Sequence, residues 1–453
     1  MSLTPVLKKT LLFLLGVSGT LCASASDLLS VYHDASTNSP QLEAYLAANL
    51  ATAENVPINV GAILPSLSLS ANASLNNVQA TGINGNYQNA NYGFTLTQTL
   101  FNYNSFANIS VAHYTKLAAA ANYQSQLQAF ILSVATAYFN VINAEYDVKF
   151  AKAQYDFLQK TLIQTKRKFV VGLGTYIDVA QAKAKSDQAY ATLIQNENNL
   201  AIANENLRVL TGKLETNLAT VTDTFPIEAP KPTNLDYWVK LAEVQNPGLL
   251  AQNYTESSAL ASVHAAAGNE LPDVFLQASF TKNYYSGSTP SLVSSYSQSL
   301  DKAIELGLTW TLFSGGELMS QTLQAANLYV AQENTSLNLY RQTQSQTTED
   351  YLSVLASISQ VKAYRQSEIA AASSLREFNA KYKVGAATIV EVLNEVTQLY
   401  QAQYNLAEAV NQYIDNMLTL KTDVGTLSEQ DLAALNTHLV MPIKDNSAKA
   451  SQT

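Results

Sequence analysis

The chain has 453 residues, enough for two or three ordinary domains. Only 13% of them are charged, the formal net charge is −9, and there is no basic cluster, which makes it a poor nucleic-acid binder. The four histidines, His33, His113, His264 and His438, are scattered without partner acids at ligand spacing, and no glycine-rich phosphate loop follows a strand. Neither catalysis nor a cofactor or metal is therefore expected.

The N-terminus reads as a secretory signal peptide over residues 1–25. Lys8 and Lys9 precede an apolar run from Leu11 to Val17, and small residues follow at Ala23 and Ala25, which places the cut after Ala25. The run is too short for a membrane helix. Cys22, the single cysteine, lies inside this leader, and Leu21 stands where a lipid-anchor signal needs a small residue. The mature chain then has no thiol, disulfide or cysteine-built metal site, and its formal charge moves from −9 to −11 with the loss of the two lysines.

Beyond the leader the sequence repeats itself. Ser39-Pro40 returns as Asn246-Pro247 and Leu64-Pro65 as Leu271-Pro272, both 207 positions on, while Leu100-Phe101 returns as Leu312-Phe313 after 212. Val171-Gly172 matches Val384-Gly385, and Thr211-Gly212 matches Val424-Gly425, both after 213. The joint between the copies holds Pro226, Pro230 and Pro232 and cannot be helical throughout.

Each copy reads helix, strand, loop, strand, helix, turn, helix. A first helix is predicted over 27–60. The strand over 66–75 then alternates Leu67, Leu69, Ala71, Ala73 and Leu75 with Ser66, Ser68, Ser70, Asn72 and Ser74. Its partner over 91–101 sets Tyr92, Phe94, Leu96 and Leu100 against Asn91, Thr95, Thr97 and Thr99. In the second copy Val274, Leu276, Ala278 and Phe280 pair with Ile304, Leu306, Leu308, Trp310 and Leu312. Period two over about ten residues, with aromatics near the ends, is the pattern of a transmembrane barrel strand. No Asp, Glu, Lys or Arg occurs from Asn55 to Thr115, as a lipid-facing hairpin requires. The stretches 81–90 and 286–300, rich in Gly, Asn, Ser and Tyr, read as outer loops.

The helices carry heptads. One runs Leu127, Val134, Val141, Val148, Tyr155, Leu162 and Phe169, with Phe130, Ala137, Ala144, Ala151, Leu158 and Thr165 beside it. Others run Val179, Ser186, Leu193, Leu200, Leu207 and Val392, Leu399, Leu406, Tyr413, Leu420, while Thr347 and Glu368 interrupt the seam of the second long helix. Sustained heptads mean coiled-coil packing. A helix over 104–171 would span about 100 Å. The helices predicted over 27–60 and 175–211 are each about half that and match it when stacked end to end. Between the helices of each pair lies a turn in which Gly172 or Gly385 ends one helix and Thr175 or Thr388 caps the next.

Four strands cannot close a barrel, and an open edge in lipid leaves backbone groups unsatisfied, so several chains must share one barrel. Three would give twelve strands and a water-filled lumen, a number that the sequence alone leaves open.

With these motifs in order the chain resembles the TolC-type outer-membrane efflux protein family. The likeness spans about residues 27–436 and rests on the duplicated unit, Leu64-Pro65-Ser66, Leu271-Pro272-Asp273, Leu312-Phe313-Ser314-Gly315-Gly316, both turn motifs and the run Gly425-Thr426-Leu427-Ser428-Glu429-Gln430-Asp431-Leu432. It implies a mainly α fold with transmembrane β: a homotrimer sharing a 12-stranded β-barrel, four strands from each chain. That barrel continues into a long coiled-coil α-helical barrel with a mixed α/β equatorial band. The map becomes leader 1–25; first repeat 26–212, with a barrel hairpin at about 66–101 and a tip at about 170–178; linker and equatorial segment 213–233; second repeat 234–425, with a hairpin at about 273–313 and a tip at about 383–391; equatorial segment and polar tail 426–453.

The resemblance further implies a passive outer-membrane exit duct extending into the periplasm, with a closed periplasmic tip opened by adaptor and transporter, serving tripartite drug efflux and/or type I protein secretion. Its partners would be outer-membrane lipid, a periplasmic adaptor of the membrane fusion class, and an inner-membrane transporter of the RND, ABC or MFS type. By motif alignment Glu391 takes the place of a pore-ring acid, Asp178 that of a tip acid in restraining contacts, and Tyr382 that of an aromatic constraint. Asn394 stands where many members carry a second acid and Ala387 where many carry an arginine, so part of the family's charged tip lock is missing. Val171, Gly172, Leu173, Val384 and Gly385 are expected to meet the adaptor. A structural reading competes with the duct: a trimeric coiled-coil surface stalk or adhesin anchored by a shared barrel.

Overall fold

The computed structural model describes residues 26–80, 83–215, 217–222, 225–287 and 297–440. The leader over 1–25 with its cut and Cys22, the loop positions 81–82 and 288–296, and the tail from 441 lie outside the described residues.

The chain opens with α1 (Leu28–Asn38), α2 (Pro40–Ala53) and α3 (Asn55–Gly61) where one helix over 27–60 is predicted. Pro40 is responsible for the first break. It has no N–H to give and disfavours the helical conformation at Ser39, which is extended and caps α2. The hairpin β1 (Ser66–Ala80) and β2 (Ile83–Phe101) follows, then α4 (Tyr103–Val170), α5 (Tyr176–Thr211) and the short β3 (Thr220–Val221). The second repeat runs α6 (Leu235–Gln245), α7 (Pro247–Gly268), β4 (Asp273–Gly287), β5 (Ser297–Thr309), α8 (Glu317–Lys383) and α9 (Ile389–Val424), with Pro247 splitting its first helix as Pro40 does. The described residues close with α10 (Glu429–Asn436) and β6 (Leu439–Val440), which pairs antiparallel with β3. At 68 and 67 residues, α4 and α8 are each about 100 Å long.

The large sheet has the order β1-β2-β4-β5 and is antiparallel throughout. Its strands reach further than their apolar stretches, into the Asn-rich segment read as a loop. There the side chains support the ladder: Asn77 Nδ2 donates to Asn86 Oδ1 (2.7 Å) and Asn72 Nδ2 to Asn91 Oδ1 (3.2 Å). The register sets Leu67, Leu96, Ala278 and Ile304 in one row, and Gln98, Leu276 and Leu306 in another, so one face of the sheet is largely apolar. Ser66, Thr97, Gln277 and Glu305 share a row on the opposite, polar face. A bulge between Thr99 and Phe101 shifts the predicted pattern, so that Phe101, and not Leu100, stands opposite Val274. Trp310 and Leu312 lie beyond the end of β5, and the Trp310 indole N–H donates to Glu270 O (3.0 Å). Two lysines, Lys282 and Lys302, occupy the apolar face towards its hairpin-turn end, lying 5.5 Å over the Tyr284 ring and 5.9 Å over the Phe280 ring.

Packing concentrates at two heights along the helices. Where α1, α6 and α10 wrap the long helices, Leu28, Val31, Val134, Tyr138, Val354, Ile414, Leu418, Leu420 and Leu432 form one core. Tyr138 anchors it: its ring is fully buried and its hydroxyl donates to Ala219 O (2.8 Å). A smaller cluster lies nearer the turns, with Leu158, Leu162, Ala182 and Ala189 of α4 and α5 against Ile389, Val392, Leu393 and Val396 of α9. The heptads thus bury much as predicted, but Phe169, the last seam residue of α4, is 44% exposed. Thr347, read as a seam interruption, is fully buried in α8, and its hydroxyl oxygen has no hydrogen-bond partner.

Candidate functional site: the helical hairpin tips

Both tips are built by the same local chemistry. α4 ends through Gly172 (φ 76°), and Leu173 N donates to Lys168 O (2.8 Å). α8 ends through Gly385 (φ 79°), and Ala386 N donates to Lys381 O (2.9 Å). A left-handed residue followed by a bond back across the last turn satisfies the orphan carbonyls of a helix end, and glycine adopts that conformation without strain.

The following helices start on reciprocal caps. Thr175 Oγ1 accepts from Asp178 N (3.1 Å), and Asp178 Oδ2 accepts from Thr175 N (2.9 Å) and from its hydroxyl (2.8 Å). Thr388 and Glu391 repeat the arrangement, with bonds of 2.6 and 2.8 Å to Glu391 Oε2 and 3.3 Å from Glu391 N to Thr388 Oγ1. Each places an anion at the positive end of a helix dipole. The Thr388 backbone N–H, then its hydroxyl, then the charge of Lys381 hold the Glu391 carboxyl below the ordinary carboxylate range, and only slight burial opposes them. Within one chain Glu391 is therefore ionised at neutral pH.

The structure brings together some of the residues singled out in the sequence and separates others. Glu391 and Asn394 are exposed one turn apart on α9, whose opposite face carries the buried Val392, Leu393 and Val396. Asp178 makes its hydrogen bonds within its own cap and, among the described residues, none with the second tip. Ala387 is half-buried and leads into the Thr388 cap. Tyr382 is half-buried against the small cluster and receives Lys168, whose Nζ lies 4.0 Å from the ring centroid. This cation–π contact joins the two tips. At the matching positions of the other tip, Phe169 packs edge-on against Tyr176 (6.3 Å) and Lys381 pairs with Glu377 (2.7 Å). Lys168 was not singled out in the sequence; a cation one residue before an aromatic in both copies is the signal that points to it.

At the very tips Val171, Leu173 and Val384 are 67%, 77% and 79% exposed, and a Cβ on Gly172 or Gly385 would meet nothing. Arg167, Lys168, Lys381 and Lys383 lie in the last turns of α4 and α8, where the helix dipole favours cations. The tips thus combine a cationic collar at two helix ends, carboxylates at the two helix starts, and bare small and apolar residues between them.

A family model described as Outer membrane efflux protein matches residues 31–213 and again 238–426, once for each repeat. Over 452 residues the chain is 33% identical to the outer membrane protein TolC of Escherichia coli (strain K12), covering 97% of this chain and 91% of that protein. It is 26% identical over 429 residues to the alkaline protease secretion protein AprF of Pseudomonas aeruginosa, covering 92% of this chain and 88% of that one. Its fold is similar to that of the Campylobacter jejuni CmeC outer membrane channel, with a TM-score of 0.77 over 90% of this chain and 89% of that one at 16% identity.

Proposed function

The chain belongs to the outer membrane efflux protein family and resides in the outer membrane, and on that premise we propose that it is the exit duct of a tripartite drug efflux pump or type I secretion system. The observation that carries the reading is the joining, in one chain, of an open sheet with an apolar face to helices about 100 Å long that end in bare, capped tips.

The outer strands of that sheet, β1 and β5, have no further partner among the described residues. Backbone groups at such edges must be paired in lipid, which calls for a shared barrel, and three copies supply twelve strands around a water-filled lumen. The helices make the same demand. Leu323, Val330 and Leu337 follow one another at heptad spacing on α8 and are 54%, 49% and 47% exposed, a seam that needs a neighbouring helix. In such a trimer the exposed polar face of α9, with Glu391 and Asn394, lines the constriction at the periplasmic end, and Tyr382, Ala387 and Asp178 shape its wall. A periplasmic adaptor docks on Val171, Gly172, Leu173, Val384 and Gly385, and an inner-membrane transporter of the RND, ABC or MFS type feeds the duct.

Deleting the gene should raise sensitivity to exported toxic compounds or abolish secretion of a protease-like cargo, and plasmid-borne wild type should restore it. Unaltered export of both classes would contradict the reading. Cysteines placed at Leu173 and Ala386 should cross-link to an adaptor, whereas capture only from equatorial positions would count against tip docking.

A further inference from the structure

The large core beside α1 contains a carboxylate that is only half answered. Glu215 follows Gly212, the left-handed cap of α5, and only 3% of its side chain is exposed. Oε2 accepts a 2.6 Å hydrogen bond from the Ser26 hydroxyl. Oε1 is buried without a hydrogen-bond partner. The cation in reach, Lys213 Nζ, stands 3.4 Å from Oε1 and makes its short contact, 2.7 Å, with Asp34. A buried carboxylate is costly unless it is both paired and hydrogen-bonded.

Ser26 is held firmly at this spot. Its carbonyl accepts from Ala219 N (3.2 Å) and from the Tyr138 hydroxyl (3.5 Å). The next residue, Asp27, caps α1 and accepts from Asn436 Nδ2 (2.8 Å), while Leu28 N donates to Asn436 Oδ1 (3.2 Å). Three bonds separate the Ser26 hydroxyl oxygen from its α-nitrogen, so that nitrogen lies within roughly 4 Å of the oxygen already bonded to Glu215. The sequence reading of the leader places the cleavage at this same nitrogen.

We propose that Glu215 is the built-in partner of a terminal ammonium created by processing between Ala25 and Ser26. A leader peptidase adds water across that peptide bond: the carboxylate leaves with Ala25, and the amine stays on Ser26 and is protonated. A neutral amide with one N–H becomes a cation with three donors, beside the hydroxyl that Glu215 Oε2 already holds and near a carboxylate whose other oxygen lacks a hydrogen bond. Removal of the leader therefore completes the core that ties α1, α4 and α10 together. The inference rests on the leader reading and is independent of what the duct exports. Among the described residues, the charged or titratable groups around the pair include Asp27, which caps α1, Asp34 of α1, Lys213 from the segment after α5, and Tyr138 of α4, itself near Glu145. Burial keeps the Tyr138 hydroxyl well above its ordinary range, so it stays neutral.

The test uses mature protein purified from outer membranes. Peptide mapping should find Ser26 at the N-terminus. Competitive acylation against pH, with surface lysines as reference, should give an α-amine pKa at least one unit above the ordinary value of about 8, hence labelling at pH 8 slower by about fivefold or more than in the unfolded chain. A pKa raised in the folded state means that the ion pair stabilises fully below about pH 8 and that its contribution disappears as pH rises through the folded value. Glu215→Gln should return the labelling to the ordinary rate and remove this alkaline loss. Two alanines inserted between Ala25 and Ser26 should do the same with Glu215 intact. Should Glu215→Gln fail to accumulate, wild-type labelling and the insertion still decide. A mature N-terminus elsewhere, or an ordinary α-amine pKa in the wild type, would overturn the proposal.

Discussion

Gly212 and Gly425 end α5 and α9 at matching positions of the two repeats, with φ of 76° and 84°. A Cβ on Gly212 would meet only Asn38 Cβ, at 3.7 Å. On Gly425 it would stand 2.3 Å from Gln245 O and 2.9 Å from Pro247 Cδ. The same contrast runs along the helices. α9 buries Val392, Leu393, Val396, Tyr413, Ile414 and Leu418 within its own chain, whereas α5 leaves Ile177, Tyr190, Ile194, Ile202 and Val209 exposed. Duplication has thus produced one helix whose apolar residues are largely buried within the chain and one that, beside the Ala182, Ala189 and Leu193 it buries, leaves a second set of apolar residues exposed. The acids follow this division: the second repeat has Asp350 and Asp423 where the first has Ala137 and Leu210.

The largest effect that separates the repeats is expected at the glycines. Alanine at either position takes on left-handed strain, on the order of 1–2 kcal/mol. At Gly425 it also overlaps backbone that cannot yield, so Gly425→Ala should cost more than about 3 kcal/mol and Gly212→Ala about 1. Thermal melts of the purified protein measure both, and equal costs would show that the two helix ends are packed alike.

Next comes the acid pair. Burial first, then the hydrogen bond and charge of Asp350, push the Asp423 carboxyl up to about 7. A carboxyl raised in the folded state binds protons that the unfolded chain has already lost, so stability falls as pH climbs from about 4 to about 7 and is level above. After allowance for partial exposure the fall is on the order of 1–2 kcal/mol. Asp423→Asn should flatten it, and parallel wild-type and variant profiles would show that the two acids share no proton.

Smaller and equal effects are expected at the caps, where the geometry is the same: Thr175→Ala and Thr388→Ala should each cost about 1 kcal/mol. Unequal values would show that one tip leans on its cap more than the other. Glu391→Gln should change stability least and ion preference most, because a ring of carboxylates favours cations and can hold multivalent ones. Unchanged reversal potentials and divalent block in planar bilayers would remove Glu391 from the pore.

The repeat, the strands and the tips were legible in the sequence because each is written locally. Glycines mark helix ends, threonines mark helix starts, and alternation over 66–75 reports a two-faced strand. The length of the strands was not, since ladder pairing and the amides of Asn77 and Asn86 extend the hairpin past its apolar residues. The break at Ser39 is masked in the sequence because the residues on either side of Pro40 keep helical composition. Asp350 with Asp423, Lys168 with Tyr382, and Ser26 with Glu215 were invisible, because each pair is far apart in the chain and meets only through packing.

We propose that contacts between the two repeats hold the periplasmic tip of this duct shut, and single-channel conductance in planar bilayers tests that most directly. Wild type should conduct weakly, and Lys168→Ala with Tyr382→Leu, which removes the 4.0 Å contact between the tips, should raise conductance several-fold. A wild type that already conducts freely, with no change in the double variant, would contradict it.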